Sequence, residues 1–323
     1  MKCAAQGIGN MRGFQTALVS AQTFMSANNH MANGFDSVVF EVDLPAERMT
    51  DDALALMEAF DPDEPWHLFA HYVDPHMPYD PPPEYLGELD ELEPIDYDLS
   101  RQNDHNHMLN QYPSLDEETQ ALIREHIMIR YLAEYRYADD EVGRLLAEAE
   151  SMGLLDDTLV MFASDHGEQL FEHGENGHGE HMYDDENLAI VAFSAPGLAP
   201  GVFEGPTSHA DVWPSVFQAM GWEEPEEFNG TPIGQRPDDT VRYALRYQGN
   251  HTFQAIERED VKMIYWWRDG EKDLYRLDED PEEMNDVYDP EDPDVIALWD
   301  LLLVEIDGVQ AINSSGTPTD PGP

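Results

Sequence analysis

Cysteine is all but missing from this chain, with Cys3 the only one among 323 residues. Neither an internal disulfide nor a cysteine-based zinc centre can form. Positive charge is nearly as scarce: 16 Lys and Arg stand against 68 Asp and Glu, and the lysines are only Lys2, Lys262 and Lys272. Without a basic stripe to displace phosphate counterions, the composition argues against nucleic acid and against an anionic membrane surface as partners. No run of 18 apolar residues occurs, and Met1-Lys2-Cys3-Ala4-Ala5-Gln6-Gly7 lacks the apolar stretch of a secretory signal. A soluble, unexported, cytoplasmic protein is the expectation. Oligomeric state is left open.

What remains is acid, spread along the whole length to a formal net charge of -52 and a pI of about 4.1. Such a chain repels itself in dilute buffer. Either it is disordered, or it is folded and adapted to molar salt, where the Debye length shrinks to about 3 Å. Six Trp, 14 Tyr and 13 Phe favour the folded reading, and 41% hydrophobic content suffices for one substantial core and a smaller satellite.

Short apolar runs at Thr16–Ser20, His67–His71, Leu159–Ser164 and Leu188–Phe193 suit parallel strands covered on both faces. Helical spacing lies between them, near Asp51–Phe60 and from about Glu117 to Met152, where Gly153 is the C-cap candidate. This alternation predicts an α/β fold, a mostly parallel open sheet flanked by helices, over residues 1–225. Residues 78–113, rich in Pro, Asp, Glu and Asn, read as a long irregular insertion. A helix follows near Asp211–Gly221, and composition then shifts over 223–240. A smaller C-terminal α+β subdomain is expected over 226–310. In it, Thr252–Arg258 and Val261–Trp267 flank Glu259-Asp260 as an antiparallel hairpin, and a helix covers Asp294–Ile306. Residues 311–323 read as a disordered tail.

Chemistry gathers where apolar strands end, the usual place for ligands in open α/β sheets. Ser164-Asp165-His166-Gly167-Glu168 offers an adjacent carboxylate and imidazole for one cation, with Gly167 turning the chain. Alone, it reads better as an ordinary Asp/Gly turn. Next comes Glu172-His173-Gly174-Glu175-Asn176-Gly177-His178-Gly179-Glu180-His181, three more imidazoles in a glycine-punctuated loop, which makes a site the better reading of the group. A second strand end delivers His71-Tyr72-Val73-Asp74-Pro75-His76-Met77-Pro78-Tyr79. Prolines on both sides restrict His76, as a general acid or anion-binding donor should be restricted.

This ordered series resembles the sulfatase family of the alkaline phosphatase superfamily. It runs from His71…Asp74-Pro75-His76-Met77-Pro78-Tyr79 through Tyr135-Arg136-Tyr137-Ala138-Asp139-Asp140 and the Asp165-His166 segment to Gly177-His178-Gly179. The ending Asp273-Leu274-Tyr275-Arg276-Leu277-Asp278-Glu279-Asp280-Pro281 is similar to the family's C-terminal subdomain signature. The resemblance implies an alkaline phosphatase-like fold and hydrolysis of a small-molecule or saccharide sulfate ester. It also implies a divalent metal, Ca2+ or alternatively Mn2+ or Zn2+, with Asp165 and His166 as two ligands. His76 and His178 would contact the sulfate ester or its leaving oxygen. The family often adds active-site lysines; none lies between Lys2 and Lys262, and His178 is the candidate for that role.

Family members draw their other metal ligands from two adjacent Asp near the first strand, and their nucleophile is a formylglycine made from a Cys/Ser-x-Pro-x-Arg motif. Neither feature occurs here, since Cys3 is followed by Ala4-Ala5-Gln6 and no serine begins the motif. A chain lacking the family's front segment, and incomplete as a catalyst, is therefore expected. Phosphoester or phosphonate chemistry of the same superfamily, or a non-catalytic binding module, are the alternatives.

The acidic composition makes a prediction of its own. In low-salt buffer, circular dichroism is expected to show little native structure, and molar salt to restore it. A fully folded spectrum in dilute buffer would reject salt adaptation.

Overall fold

The computed structural model describes residues 13–22, 25, 32–42, 44–226, 228–246 and 252–313. They divide into two compact units, one running to Val160 and including Ser194–Gly197, the other comprising Met161–Phe193 and the chain from Leu198.

In the first unit, strands β1 (Gln15–Ser20), β2 (Ser37–Phe40) and β3 (Trp66–His71) form a parallel sheet in the order β2-β1-β3. β1 is the middle strand, and Ala17, Leu18 and Val19 are wholly buried. That is why its sequence is an unbroken apolar run and not an alternating one. Its two buried hydroxyls are both paired, Thr16 Oγ1 with the Asp36 carboxylate at 3.0 Å and Ser20 Oγ with His71 Nδ1 at 3.0 Å. Helix α1 (Ala46–Glu58) buries Ala46, Met49, Thr50, Ala53 and Met57, a single stripe at helical spacing, and Met49 and Ala53 share a core with Val19 and Leu44. It starts five residues before the expected Asp51, because Pro45 takes the N-cap position and the polar first turn hides the onset.

Residues 78–113 are more ordered than their composition suggests. They hold helix α2 (Gln102–Gln111) and short 3-10 turns at Pro83–Tyr85 and Gly87–Glu91. α2 buries only His105 and Met108, so no apolar stripe betrays it. Tyr79, fully buried, lies edge-on to His105 and Tyr131 at 5.6 and 5.7 Å and anchors the segment. Helix α3 (Glu117–Ser151) follows, capped by Asp116, whose carboxylate accepts from Thr119 N–H at 3.0 Å. It ends as expected at Gly153, in the left-handed region at φ 74°. Leu154 N–H reaches Ala149 O, and Gly153 N–H reaches Glu150 O, closing a Schellman motif.

The second unit contains most of strand β4 (Val160–Ala163), which pairs with β7 (Val191–Ser194). Between them lie the short antiparallel pair β5 (Gln169–Leu170) and β6 (Asn176–Gly177) and the one-turn helix α4 (Asp184–Asn187). The expected strand from Leu188 begins only at Val191, because Leu188 N–H closes α4 onto Asp184 O at 2.9 Å. After helix α5 (Val212–Ala219), strands β8 (Arg242–Arg246), β9 (Phe253–Arg258), β10 (Val261–Trp266) and β11 (Glu271–Arg276) form an antiparallel sheet in the order β11-β10-β9-β8. The β9-β10 hairpin falls where its alternation places it, with Glu259 at φ 54° in the turn. One sheet face buries Ile256, Met263 and Leu274 under Val295, Leu298 and Leu302 of helix α6 (Pro293–Asn313). The other buries Ala255, Ile264 and Tyr275 against Met182. The tail expected over 311–323 lies almost wholly outside the described residues. Among the described residues, no helix is long and apolar enough to cross a membrane.

Asp211, at the start of α5, is wholly buried. It accepts two bonds from the Arg236 guanidinium, at 2.7 and 2.5 Å, and one each from Thr231 N–H at 2.8 Å and Ser208 N–H at 2.9 Å. Burial pushes its pKa up, but the Arg236 fork and the two backbone donors outweigh that and hold it below the usual carboxylate range. A pKa depressed by folding adds stability that is present in full above the unfolded value of about 4 and is lost as pH falls through the folded value. Asp211→Asn turns an amide N–H2 toward donors on one side. It is expected to cost about 3 kcal/mol at neutral pH and to flatten the acid limb of stability against pH, as measured by denaturant titration in molar salt.

Candidate active site

At the end of β4 the backbone is held from two sides. Ser164 N–H donates to Ile190 O at 3.0 Å, and Gly167 N–H donates to Glu186 O at 2.8 Å. Between these ties, Asp165 Oδ1 accepts from His166 N–H at 3.0 Å, and the Asp165 side chain is 76% exposed. His166 Nδ1–H donates to Gly167 O at 2.7 Å, which assigns the lone pair to Nε2, 3.6 Å from Asp165 Oδ2. A carboxylate and an imidazole nitrogen thus sit side by side. Gly167 is needed for space more than for turning: it lies outside the left-handed region, and a Cβ there would stand 2.1 Å from Asp185 O. α4 presses directly on the backbone that carries His166.

The histidine-rich loop supplies one neighbour to this pair. The His178 ring lies 3.9 Å from that of His166, centroid to centroid, at 33°. Its Nδ1 is 3.0 Å from Oε1 of Glu168, whose side chain is only 5% exposed. The bond to Glu168 raises the His178 pKa above the ordinary imidazole value. Burial opposes that rise, and the charges of Glu168, Asp165 and Glu186 add to it. The other two imidazoles serve different partners. His173 stacks on Tyr183 at 3.7 Å and 13°, with Asp185 Oδ2 3.8 Å away, and burial lowers its pKa. His181 meets Trp266 edge-on at 5.7 Å and brings Nδ1 to 3.4 Å from Glu186 Oε1. Asp185 Oδ2 is buried with no hydrogen-bond partner, and burial, then the charge of Glu172, pushes its carboxyl up to about 7.

His76 belongs to the first unit. It follows β3, whose last residue His71 brings Nδ1 to 3.0 Å from Ser20 Oγ at the end of β1. The peptide bonds Asp74-Pro75 and Met77-Pro78 on either side of His76 are both cis. Its Nδ1–H donates to Met77 O at 2.6 Å. Burial raises the Asp74 pKa against the backbone N–H bonds that lower it. Burial also pushes Glu134 up to about 9, with the charge of Asp74 adding to the shift.

Glu168 and Glu186 are the site residues that sequence reasoning passed over. Glu168 closes the motif already singled out, and nothing in its type announced a partner ten residues on. Glu186 sits in Asp184-Asp185-Glu186-Asn187, which reads as one more solvated stretch in a chain of 68 acids.

Asp165 and His166 fit a divalent cation in kind, one hard oxygen and one imidazole nitrogen whose tautomer is set by Gly167 O. Among the described residues no group of three or more His, Cys, Asp and Glu gathers to hold a metal. The pair therefore accounts for two positions of a coordination sphere, against the six to eight that Ca2+ prefers.

Comparison with known proteins follows the same line. Choline-sulfatase of Rhizobium meliloti is 28% identical over 242 residues, covering 69% of this chain and 46% of its own length. Arylsulfatase of Clostridium perfringens is 21% identical over 279 residues, covering 82% and 58%. The chain thus spans about half the length of the curated relatives it matches. A structure solved in complex with its substrate D-glucosamine-2-N,6-O-disulfate superposes with a TM-score of 0.70 at 21% identity, over 97% of this chain and 83% of the other. The phosphonate monoester hydrolase of Silicibacter pomeroyi gives 0.69 at 18%, over 96% and 80%. These likenesses establish an alkaline phosphatase-like α/β fold. The Sulfatase family model matches residues 9–222, well over half of the sequence, and the chain belongs to the sulfatase family.

Proposed function

We infer that this chain serves the hydrolysis of small-molecule or saccharide sulfate esters with a divalent metal, Ca2+ in the first instance and Mn2+ or Zn2+ as alternatives. One observation carries the reading: the His166 and His178 rings lie 3.9 Å apart, and each Nδ1 is engaged by its own oxygen partner. His166 Nε2 and Asp165 would hold the cation, which when bound supplies positive charge against the sulfuryl oxygens. His178, with Glu168 behind Nδ1, carries a proton on Nε2 and donates it to the leaving oxygen as the S–O bond breaks. His76, held by its bond to Met77 O, is the second residue proposed to contact the ester or its leaving oxygen.

No Cys/Ser-x-Pro-x-Arg run occurs in the 323 residues, so the nucleophile, a formylglycine in the family, is assigned to none of them. The core is taken to run to residue 225 and the C-terminal subdomain from 226 to 310. The acidic composition supports a salt-rich setting. The likeness to a phosphonate monoester hydrolase supports phosphorus esters as the second reading.

The test is cleavage of a chromogenic aryl sulfate beside the matching phosphate and phosphonate esters, with and without a chelator. Sulfate ester cleavage is expected to need the metal and to fall about 100-fold or more in His178→Ala and in His76→Ala. Cleavage that survives chelation and both substitutions would defeat the reading, and a preference for phosphonate would move it to the second. Titration with Ca2+ or Mn2+ adds a measurement independent of turnover: weak binding is expected in the unaltered chain and none in Asp165→Ala. Binding without turnover of any ester would favour a non-catalytic module.

A further inference from the structure

The residues that directly follow the two stacked histidines are both bonded to Glu186. Gly167, after His166, donates its N–H to the Glu186 carbonyl at 2.8 Å. Gly179, after His178, donates its N–H to Glu186 Oε2 at 2.5 Å. The next two N–H groups, of Glu180 and His181, reach the same oxygen at 3.2 and 3.3 Å. Oε1 accepts from Gln169 Nε2 at 2.8 Å. Glu186 is 5% exposed, and Gln169 is wholly buried. One buried residue thus grips both backbone segments that carry the pair.

The grip needs a fixed base, and α4 has one. Asp184, two residues earlier, pairs through Oδ1 with Lys262 Nζ at 2.6 Å. Lys262 lies on β10, is 1% exposed, and also meets Glu283 Oε1 at 2.7 Å. Glu283 Oε2 in turn accepts Asp184 N–H at 2.5 Å. One of only three lysines in the chain is spent on tying α4 to the antiparallel sheet. A buried ion group of this kind is poorly explained by net stability, since desolvation offsets most of its attraction. Holding a geometry is the better account.

We propose that Glu186 is a positioning residue that sets the separation of His166 and His178, and that opposite Gln169 only a group accepting at both ends can fill its place. Both carboxylate oxygens receive N–H donors, three backbone groups at one and the Gln169 amide at the other, where His181 Nδ1 also lies 3.4 Å away. A glutamine at 186 must turn its own N–H2 toward one of those donor sets, leaving buried donors facing each other. Exchanging the two side chains removes the conflict: with Gln169→Glu and Glu186→Gln together, the amide oxygen faces the three backbone donors, and the amide N–H2 donates to the new carboxylate and faces His181 Nδ1 as an acceptor, its proton on Nε2. What the separation is for rests on the hydrolytic reading above. That the separation depends on Glu186 does not.

The experiment reads position and not turnover. In the full chain in molar salt, with labelled histidine, the His166 and His178 ring protons are expected to show a mutual nuclear Overhauser contact. The amides of Gly179, Glu180 and His181 should be protected from hydrogen exchange. In Glu186→Gln the ring contact should disappear and those amides exchange about tenfold faster or more, while the β9-β10 amides stay as they were. The exchanged pair of substitutions should recover both signals. An unchanged ring contact and unchanged exchange in Glu186→Gln would overturn the proposal, and so would an exchanged pair that recovers neither. If Glu186→Gln does not fold, the exchanged pair decides alone: folding with the contact supports the proposal, and failure of either rejects it. Absence of ester hydrolysis in the unaltered protein would count against the functional reading and leave this result standing.

Discussion

A missing Cβ fixes more of this molecule than any single charge. At Gly167 the carbonyl of Asp185 occupies the place where a side chain would begin, 2.1 Å from an ideal Cβ. That approach lets Gly167 N–H reach Glu186 O and draws the end of β4 onto α4. Everything the second unit offers as chemistry depends on it. His166 is the preceding residue, His178 is reached through the loop that the Glu186 carboxylate holds, and Glu168 is the following residue. A methyl group at 167 would push the strand end and the helical turn apart, and both histidines would lose their footing together.

Around that contact the protein solves a problem set by its own composition. With 16 cations for 68 acids, most carboxylates cannot have an ion partner. Backbone N–H groups stand in. Glu186 takes three of them, Asp211 takes two in addition to Arg236, and Glu134 takes Asp80 N–H. Where donors are enough to outweigh burial, the carboxylate pKa is held below its usual range, at Asp211 by the Arg236 fork and then two backbone N–H groups, at Glu186 by the His181 imidazole and then the backbone N–H groups. Where they are not, burial wins and the proton stays, as at Glu134, pushed up to about 9. One of the scarce cations, Lys262, is buried between Asp184 and Glu283.

This division explains what could be read in advance. The strands at Thr16, His67 and Leu159, the long helix closed by Gly153 and the β9-β10 hairpin were legible because each rests on a local signal, an apolar run, a cap or an alternation. The grouping of Asp165, His166 and His178 was legible because the pair ends an apolar strand and the histidine-rich loop follows it directly; the part each plays in a reaction is a proposal. α2 was not, since two buried side chains in a ten-residue helix leave no periodic trace. Glu186 was not, for a subtler reason. Its significance lies in which N–H groups point at it, and those are backbone atoms that every residue type carries. In a chain this acidic, an organising glutamate and a solvated one have the same letter and the same neighbours.

The same reasoning bounds how far fold leads to reaction. A phosphonate monoester hydrolase superposes on this chain about as well as a protein solved with a disulfated glucosamine, with TM-scores of 0.69 and 0.70. The shared sheet therefore cannot choose between sulfur and phosphorus esters. The choice rests with charge near the transferring group. A sulfate monoester brings one negative charge to the site, a phosphate monoester close to two at neutral pH, and a cation with one or two imidazolium groups balances them differently. Here the region around Asp165 and His166 adds Glu168, Asp185 and Glu186, with the imidazoles of His178 and His181 beside them and the Arg246 guanidinium against Gly179, 3.5 Å from Glu180 Oε1. Family members often place lysines in the active site, and this sequence has none between Lys2 and Lys262. Charge separates a sulfate monoester from a phosphate monoester, but not from a phosphonate monoester, which also carries a single negative charge; between those two only turnover decides.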